Sequence, residues 1–416
     1  MLLFRNKVFT AVTVGHFVID IFNSMGGVLV TFLSNPLALS TAQIGLALSA
    51  YSLLAAITQP LFGWLADKIG SRWLGPGSVT WTISFMALAV FMAQTTHNFM
   101  LFMIPFSLAA IGSGAFHPLA TMHSTTVVAN QAATATGMFF LFGQGGLAGG
   151  PVLGGLILDH IGTGGVYVLA FLASPFIVFM AYAMRHTSVQ PAPAPAPHSS
   201  ITQARIAKEN LRWGAIAVLA LITGLRSWVF LGTVNFLPKM FQDMGWEATA
   251  YGLITGAYWI ASGITGVIGG NLADRWGRRQ VVFITLLLGS VPIYFLPLNN
   301  NWLAFTLAII AGGLLGASHS ILIVIAQALL PGRKAFASGL TLGYLFGTGA
   351  VAAWGIGTLA DIWGLNQVIQ AGAGVGVATA LLALFLPATR ETPEPQAEGV
   401  PAQLDRRPLT ADRHKN

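Results

Sequence analysis

The sequence has no cysteine and very little charge. The absence of cysteine excludes disulfides, thiolate metal sites and cysteine nucleophiles. Only 8% of the 416 residues are charged, against about 25% in a typical soluble domain. The chain therefore has too few charges to cover a water-exposed surface of ordinary size.

Several functional motifs are also missing. The sequence has no Gly-x4-Gly-Lys-Ser/Thr run, no Ser-His-Asp order of a hydrolase, and no glycine-rich turn after a soluble strand. These absences disfavour an ATP-driven pump, an enzyme and a dinucleotide-binding protein. We expect no enzymatic activity, no cofactor and no metal site.

What the chain has instead is apolar length. It is 55% hydrophobic with a mean hydropathy of +0.71, and stretches of 18 or more apolar residues recur, each long enough to cross a bilayer. This predicts an all-α integral membrane protein of twelve helices in two six-helix halves. The predicted spans are 8–33, 42–66, 73–95, 99–122, 133–158, 164–185, 211–237, 248–272, 280–298, 302–330, 335–360 and 365–387.

The placement of basic residues gives the orientation. With the N-terminus inside, all but Lys239 and Arg226 of the 20 Lys and Arg residues lie on the cytoplasmic side, as expected for bacterial membrane proteins. Both termini are therefore predicted to be cytoplasmic. The net charge of +7 is spread over helix ends rather than one patch, so we expect no nucleic-acid partner.

Composition also predicts the domain organisation. Residues 186–210 contain an alternating Pro/Ala run, which is typical of a semi-rigid extended linker. We expect a first bundle over 1–185, this cytoplasmic linker, a second bundle over 211–389, and a disordered cytoplasmic tail over 390–416.

The two predicted halves repeat each other. The run Gly63 to Arg72 recurs 207 residues later as Gly270 to Arg279. His117 and His319 lie 202 residues apart in similar small-residue runs, and Asp159 and Asp361 are separated by the same offset. Six helices in each copy, with the same topology, predict parallel repeats about an axis normal to the membrane.

The repeated Gly-x-Leu-Ala-Asp-basic hairpin resembles the signature of the major facilitator superfamily, with Ser71 in place of the first terminal basic residue of copy one. The resemblance extends to about residue 390. It implies a monomer in the bacterial inner membrane that carries a small-molecule substrate by alternating access. The runs at 16–20, 112–118 and 326–333 resemble proton-coupled drug exporters within that family.

We interpret the repeated hairpin as a cytoplasmic latch between the halves. Its glycines permit tight turns, and its acidic and basic side chains can pair with charges or helix ends. The alternative is that its basic residues only anchor topology. The predicted latch residues are Gly63, Asp67, Gly70, Arg72, Gly270, Asp274, Gly277 and Arg278.

Ionisable residues at membrane depth are costly and mark functional sites. Asp20 lies in the middle of the first span, with His16 four residues before it on the same helix face. A carboxylate and an imidazole in a dry site suit the uptake and release of protons. We predict that this pair couples protons; the alternative is an internally satisfied polar pair.

Five further polar residues are candidates for lining a substrate cavity: Arg226, His117, His319, Gln144 and Gln327. Arg226 stands alone in its span, and an arginine there can pair with Asp20 or hold an anionic group; snorkelling to the interface is the alternative. The two histidines can bind substrate or protons, or form hydrogen bonds that fix helix packing.

The glycine-rich run over 143–151 resembles a motif of drug:proton antiporters that ends in Gly-Pro. We predict that Gly146, Gly150 and Pro151 allow close helix packing and a hinge where the halves meet. Generic tight packing is the alternative, since the chain has 48 glycines.

Together these features predict export of small drugs or metabolites driven by inward proton flow. The substrate would bind near the bilayer midplane, between the halves. Import of a small organic anion by proton symport remains the alternative, because the scaffold permits both directions.

Overall fold

A computed structural model describes residues 3–126, 132–187, 213–329 and 334–387. Throughout these residues the regular structure is helical. The first half contains α1 (Lys7–Ser24), α2 (Gly26–Ser34), α3 (Thr41–Ile69), α4 (Leu74–Thr96), α5 (Phe99–Thr126), α6 (Ala132–Ile161) and α7 (Gly165–Met184). The second contains α8 (Trp213–Asp243), α9 (Ala248–Trp276), α10 (Arg278–Phe295), α11 (Leu303–Leu329), α12 (Lys334–Trp363) and α13 (Leu365–Ala383).

These helices confirm the all-α membrane fold. Within the described ranges, eleven apolar helical stretches are long enough to cross a membrane, and one of them, Thr134–Met184, contains both α6 and α7. The first predicted span is two helices, because α1 and α2 meet at Met25. Most of the predicted linker and tail lies outside the described residues, so that part of the domain organisation stays a prediction.

Helix ends follow local sequence chemistry. Ser40 starts α3 with a capping box. The Ser40 hydroxyl accepts from the backbone N–H of Gln43, and the Gln43 side chain accepts from the backbone N–H of Ser40. At the other end of α3, Gly70 adopts a φ of 79°, and its repeat, Gly277, adopts 99°. These left-handed backbone angles favour glycine, so the glycines of both hairpin copies are required by the turns that follow α3 and α9.

Large apolar side chains cover the outside of the bundle. Phe171, Trp302 and Phe385 are each more than 70% exposed, whereas in a water-soluble protein such a surface would promote association. The side chains buried in the interior are also apolar, so both faces of most helices are hydrophobic. This pattern is typical of helices surrounded by lipid.

The two halves pack tightly at the end opposite the predicted cytoplasmic side, which we call the outer end. A Cβ added to Gly45 of α3 would lie 2.3 Å from the carbonyl oxygen of Ala353 on α12, and one added to Gly155 of α6 would lie 2.2 Å from that of Ala248 on α9. At the inner ends of the same helices, a Cβ on Gly137, Gly266 or Gly343 would meet open space. The arrangement is thus closed at the outer end and looser at the inner end.

Candidate functional site

Asp20 is the centre of a buried polar cluster in the first half. It lies near the end of α1, in the middle of the apolar stretch Lys7–Ser34 that α1 and α2 form together, and is 4% exposed. One turn earlier on the same helix, His16 places Nε2 3.2 Å from Asp20 Oδ2. The i, i+4 spacing read from the sequence therefore produces a contact between the two side chains.

A second histidine reaches the same carboxylate from another helix. His117 of α5 places its Nε2 3.4 Å from Asp20 Oδ1, and its side chain keeps 27% exposure. His16 is only 4% exposed, so His117 is the member of the cluster that remains accessible. The structure thus brings together three of the predicted site residues, Asp20, His16 and His117, from two helices.

The hydrogen bonds of the two imidazoles determine where their protons lie. His16 Nδ1 is 2.9 Å from the carbonyl oxygen of Phe139, and His117 Nδ1 is 2.8 Å from that of Ser113. A carbonyl only accepts, so each Nδ1 is the N–H donor. Each Nε2 then faces an oxygen of Asp20, and these contacts are favourable only when a proton lies between nitrogen and oxygen. The geometry therefore suits the sharing of protons between the carboxylate and the two imidazoles.

Two further residues complete the cluster, and the sequence analysis missed both. Asn23 donates from Nδ2 to Asp20 Oδ1 and to Ser113 Oγ, each at 2.9 Å. Tyr51 of α3 donates its hydroxyl to Asn23 Oδ1 at 2.6 Å. Asn23 could have been found from spacing, because it lies three residues after Asp20 on the same helix face. Tyr51 left no such signal.

Glycines of α6 let that helix approach the cluster closely. A Cβ on Gly143 would lie 2.3 Å from His16 Cε1, one on Gly146 would lie 2.8 Å from Asp20 Cβ, and one on Gly150 would lie 2.1 Å from Ser24 Oγ. Gly146 and Gly150 of the glycine-rich motif therefore pack α6 against α1, within one half.

The contact between halves uses a neighbouring face of α6. A Cβ on Gly252 of α9 would lie 2.3 Å from the carbonyl oxygen of Pro151. Gln144 is half-buried and lies against the same helix, 3.1 Å from a Cβ built on Gly263. Of these motif residues, Pro151 lies at the contact between the halves, whereas Gly146 and Gly150 contact α1; the predicted hinge stays a prediction.

Arg226 lies near the middle of α8 and is 1% exposed. Its Nε donates to Ser318 Oγ at 2.7 Å, and its Nη2 donates to the carbonyl oxygen of Leu315 at 2.9 Å. It does not pair with Asp20, whose ion-pair partners are His16 and His117. The alternative of an Arg226–Asp20 pair is wrong, because each residue is bound within its own half.

The other predicted cavity residues lie apart from the Asp20 cluster. His319 is half-buried on α11, follows the Ser318 that binds Arg226, and interacts electrostatically with that arginine. Gln327 is half-buried nearer the inner end of α11. The two repeat-related histidines therefore have different surroundings, His117 beside a carboxylate and His319 beside a guanidinium.

Three of the latch residues, Arg72, Gly63 and Gly270, lie next to residues of their own half in this conformation. Arg72 is exposed and its guanidinium lies 4.9 Å from the ring centre of Trp73. Asp274 is exposed and Arg278 is buried. A Cβ on Gly63 would approach Pro118, and one on Gly270 would approach Ser320, each in the same half. The side chain of Asp67 lies outside the described residues.

Ser71, which occupies the place of a basic residue in the first hairpin copy, has a specific partner. It is 2% exposed, and its hydroxyl lies 2.6 Å from His123 Nε2 on α5. The substitution therefore joins the hairpin to α5 by a hydrogen bond.

At the outer end, the repeated aspartates cap helices of the opposite half. Asp159, at the end of α6, accepts from the backbone N–H groups of Ala248 and Thr249 at 2.9 and 2.5 Å. Asp361, at the end of α12, accepts from those of Thr41 and Ala42 at 2.8 and 3.1 Å. A carboxylate at a helix N-terminus is stabilised by the helix dipole and the free N–H groups. These two contacts, the outer caps, hold the halves together.

One group of donors in the described residues is arranged as a metal site would be. His16, Asp20 and His117 offer ligand atoms within 4.8 Å of one another. The sequence predicted no metal site, and this cluster is where one would have to form. Two imidazole nitrogens and one carboxylate oxygen suit a transition metal better than a hard cation.

Comparison with known proteins agrees with this architecture. The profile of the Major Facilitator Superfamily matches residues 12–239 and 216–413. The chain is 26% identical over 385 residues to the fosmidomycin resistance protein of Escherichia coli (strain K12), covering 91% of this chain and 92% of that protein. It is 23% identical over 299 residues to the multidrug resistance protein MdtG of Salmonella arizonae, covering 70% and 72%.

Solved structures share the fold at low sequence identity. The nucleoside transporter NupG aligns with a TM-score of 0.70 and 16% identity, covering 91% of this chain and 98% of that one. A bacterial homologue of the human lysosomal transporter Spinster, in an inward-facing conformation, aligns at 0.72 and 16%, covering 92% and 96%. The chain therefore belongs to the Major Facilitator Superfamily and is a multi-pass membrane transporter of small molecules.

Proposed function

We propose that this chain exports small drugs or metabolites across a bacterial inner membrane in exchange for protons. The observation that carries the proposal is the His16–Asp20–His117 cluster, whose nitrogen and oxygen atoms face one another and require shared protons. The similarity to proteins named for fosmidomycin and multidrug resistance supports export as the direction. The transporter is expected to act as a monomer.

Packing gives a route from the proton to the conformational change. The cluster lies on α1 and α5, and the glycines of α6 let that helix approach α1 closely. A neighbouring face of α6 packs on α9 of the second half. A change of charge at Asp20 therefore acts on the helix that joins the two halves, and protonation favours one arrangement of the halves over the other.

Proton symport with import of an organic anion is the second candidate. The fold is shared with a D-xylose–proton symporter, at a TM-score of 0.69 and 16% identity. A buried proton site serves either direction, and the direction depends on which state binds substrate more tightly. Transport assays in both directions separate the two candidates.

The test is drug susceptibility of a pump-deficient bacterium that produces the wild-type chain, Asp20→Asn or Asp243→Asn. Asp243 is a matched control because it is an exposed carboxylate that pairs with Lys239 at the outer end of α8. The panel contains fosmidomycin, trimethoprim and a cationic dye, with and without a protonophore. Protein amounts are measured in the membrane fraction.

We expect protection by the wild-type and Asp243→Asn chains, abolished by the protonophore, and none by Asp20→Asn at equal abundance. Undiminished protection by Asp20→Asn would contradict proton coupling through the cluster. If the chain protects against no compound but vesicles show proton-driven uptake of organic anions, the chain is an importer and not an exporter.

A further inference from the structure

We propose that Arg226 is the binding group for an anionic part of the transported molecule, so that the substrate class is organic anions. The inference rests on the proposed function, since it concerns the substrate of the same transporter. It follows from three observations: Arg226 is buried, its hydrogen-bond partners are neutral, and the described carboxylates pair with other groups or lie at the surface.

Arg226 is a buried charge held by neutral groups. Its two ordered contacts are the hydroxyl of Ser318 and the carbonyl of Leu315. Its third nitrogen, Nη1, is buried and makes no hydrogen bond. Burial of a cation without a counter-ion is unfavourable, so the site favours any anion that reaches it.

The carboxylates whose side chains the structure describes are committed elsewhere or lie at the surface. Asp20 contacts His16 and His117 in the other half. Asp243 pairs with Lys239, and Asp159 and Asp361 form the outer caps. The two others are exposed, namely Glu247 and Asp274. Among these side chains, none lies within ion-pair distance of Arg226.

The surroundings of the guanidinium suit an anion with an apolar body. The ring of Phe230 lies 4.8 Å from Arg226 Cζ and covers one face of the charge. His319, next to Ser318 on α11, interacts electrostatically with the same group, and its imidazole can donate to an anion's oxygens. No described group in this set carries a negative charge that would attract a cation.

Ser318 and Leu315 fix the guanidinium in place through Nε and Nη2, which leaves Nη1 as the free donor. A positioned arginine donor is well suited to carboxylates and phosphonates. Nη1 is covered in this conformation, so an anion reaches it only when the surrounding side chains move apart. Binding is thereby tied to the conformational cycle.

The test measures the melting temperature of the purified full-length chain in detergent with three probes that share a phenyl ring: phenylphosphonate, benzoate and phenyltrimethylammonium. The variants are Arg226→Gln, which keeps a donor for Ser318 without the charge, and Arg226→Lys, which keeps the charge without the fork. Lys239→Gln is the control, because it removes a basic residue at the outer end of the same helix.

We expect both anions, but not the cation, to raise the melting temperature of the wild-type and Lys239→Gln chains. Arg226→Gln loses at least about tenfold in anion affinity, and Arg226→Lys loses less. If Arg226→Gln does not fold, the loss in Arg226→Lys decides. The inference is overturned if the cation stabilises equally, if no anion stabilises the wild type, or if the arginine variants bind anions normally.

Asp20→Asn separates this inference from the proposed function. The variant keeps Arg226 and its partners, so it should bind the anions even when it cannot couple protons. If the chain binds anions but transport does not require Asp20, the proposed function is contradicted and the substrate class is retained. If the chain exports cations in an Asp20-dependent way and does not bind anions, the substrate class is contradicted and the proposed function is retained.

Discussion

The two halves use the same scaffold for opposite charges. Asp20 and Arg226 lie 206 residues apart, at corresponding depths of α1 and α8, and Tyr51 and Tyr258 lie 207 apart on α3 and α9. In the first half the acid faces two histidines; in the second the arginine faces a hydroxyl and a carbonyl. Duplication thus provided two equivalent buried positions, and we infer that one holds protons and the other holds substrate.

The difference between the halves extends to the helix behind each site. In the first half, Gly143 of α6 packs against His16. In the second half, the equivalent residue, Gly347 of α12, faces open space. The face of α6 next to the Asp20 cluster is therefore tightly packed at Gly143, whereas α12 has open space beside Gly347.

The largest expected effect comes from filling these equivalent glycine positions. Gly143 and Gly347 both follow Leu-Phe in the repeat, and a Cβ at Gly143 would lie 2.3 Å from His16 Cε1, whereas one at Gly347 would meet nothing within 4 Å. We expect Gly143→Ala to lower stability by about 1–3 kcal/mol and to abolish transport. Gly347→Ala should retain both properties.

Melting temperature and proton-driven transport in proteoliposomes measure these effects. Gly149→Ala is a second control, because Gly149 belongs to the same glycine-rich run as Gly143 and also has open space around it. Equal loss at Gly143 and Gly347 would mean that the halves are not enclosed differently.

The outer caps are a feature that the two halves share, and removing them tests whether they hold the outer end closed. Asp159→Asn and Asp361→Asn each remove a charged acceptor from a helix N-terminus, and charge-assisted bonds of this kind contribute about 1 kcal/mol or more each. We expect each single variant to shift the halves modestly apart at the outer end. The double variant should shift the population about tenfold or more towards an outward-open state.

Because the chain has no cysteine, spin labels can be placed by Thr95→Cys and Trp302→Cys, at exposed outer positions of opposite halves. Longer label distances in the double variant are the expected readout. Unchanged distances would show that the glycine contacts alone keep the outer end closed.

The smallest expected effect concerns the paired tyrosines. Tyr51 donates to Asn23 at 2.6 Å, but Tyr258 is 3.4 Å from the carbonyl oxygen of Phe230. Loss of a buried hydrogen bond costs about 1 kcal/mol, so Tyr51→Phe should reduce proton-coupled transport several-fold, and Tyr258→Phe should stay within about twofold. Initial transport rates at equal protein amounts measure the difference, and a reversed order would contradict the assignment of protons to the first half.

Local spacing predicted the parts of the site that lie on one helix. The apolar membrane helices, the repeat and the His16–Asp20 contact all follow from the sequence pattern and i, i+4 geometry. The approach of His117 to Asp20 depends on how α5 is rotated against α1, which side-chain packing decides. The alternative that Arg226 pairs with Asp20 was wrong for the same reason, because the sequence does not give distances between helices.

The aspartates of the outer caps show the same limit. Their repetition at an offset of 202 was visible in the sequence, but their partners are backbone N–H groups of helices almost 90 and 320 positions away. Backbone donors leave no side-chain signature in a sequence. Repetition therefore indicated that Asp159 and Asp361 matter without indicating what they bind.

The glycine contacts at the outer end also bear on leakage. Gly45, Gly155, Gly252 and Gly357 place backbone against backbone across the halves, so at these four positions no rotatable side chain separates the helices. Side chains change rotamer within nanoseconds, whereas rigid helices separate over microseconds to milliseconds. A seal made of backbone opens only when whole helices move, which would keep ions from slipping through between transport cycles and preserve the membrane potential of the cell.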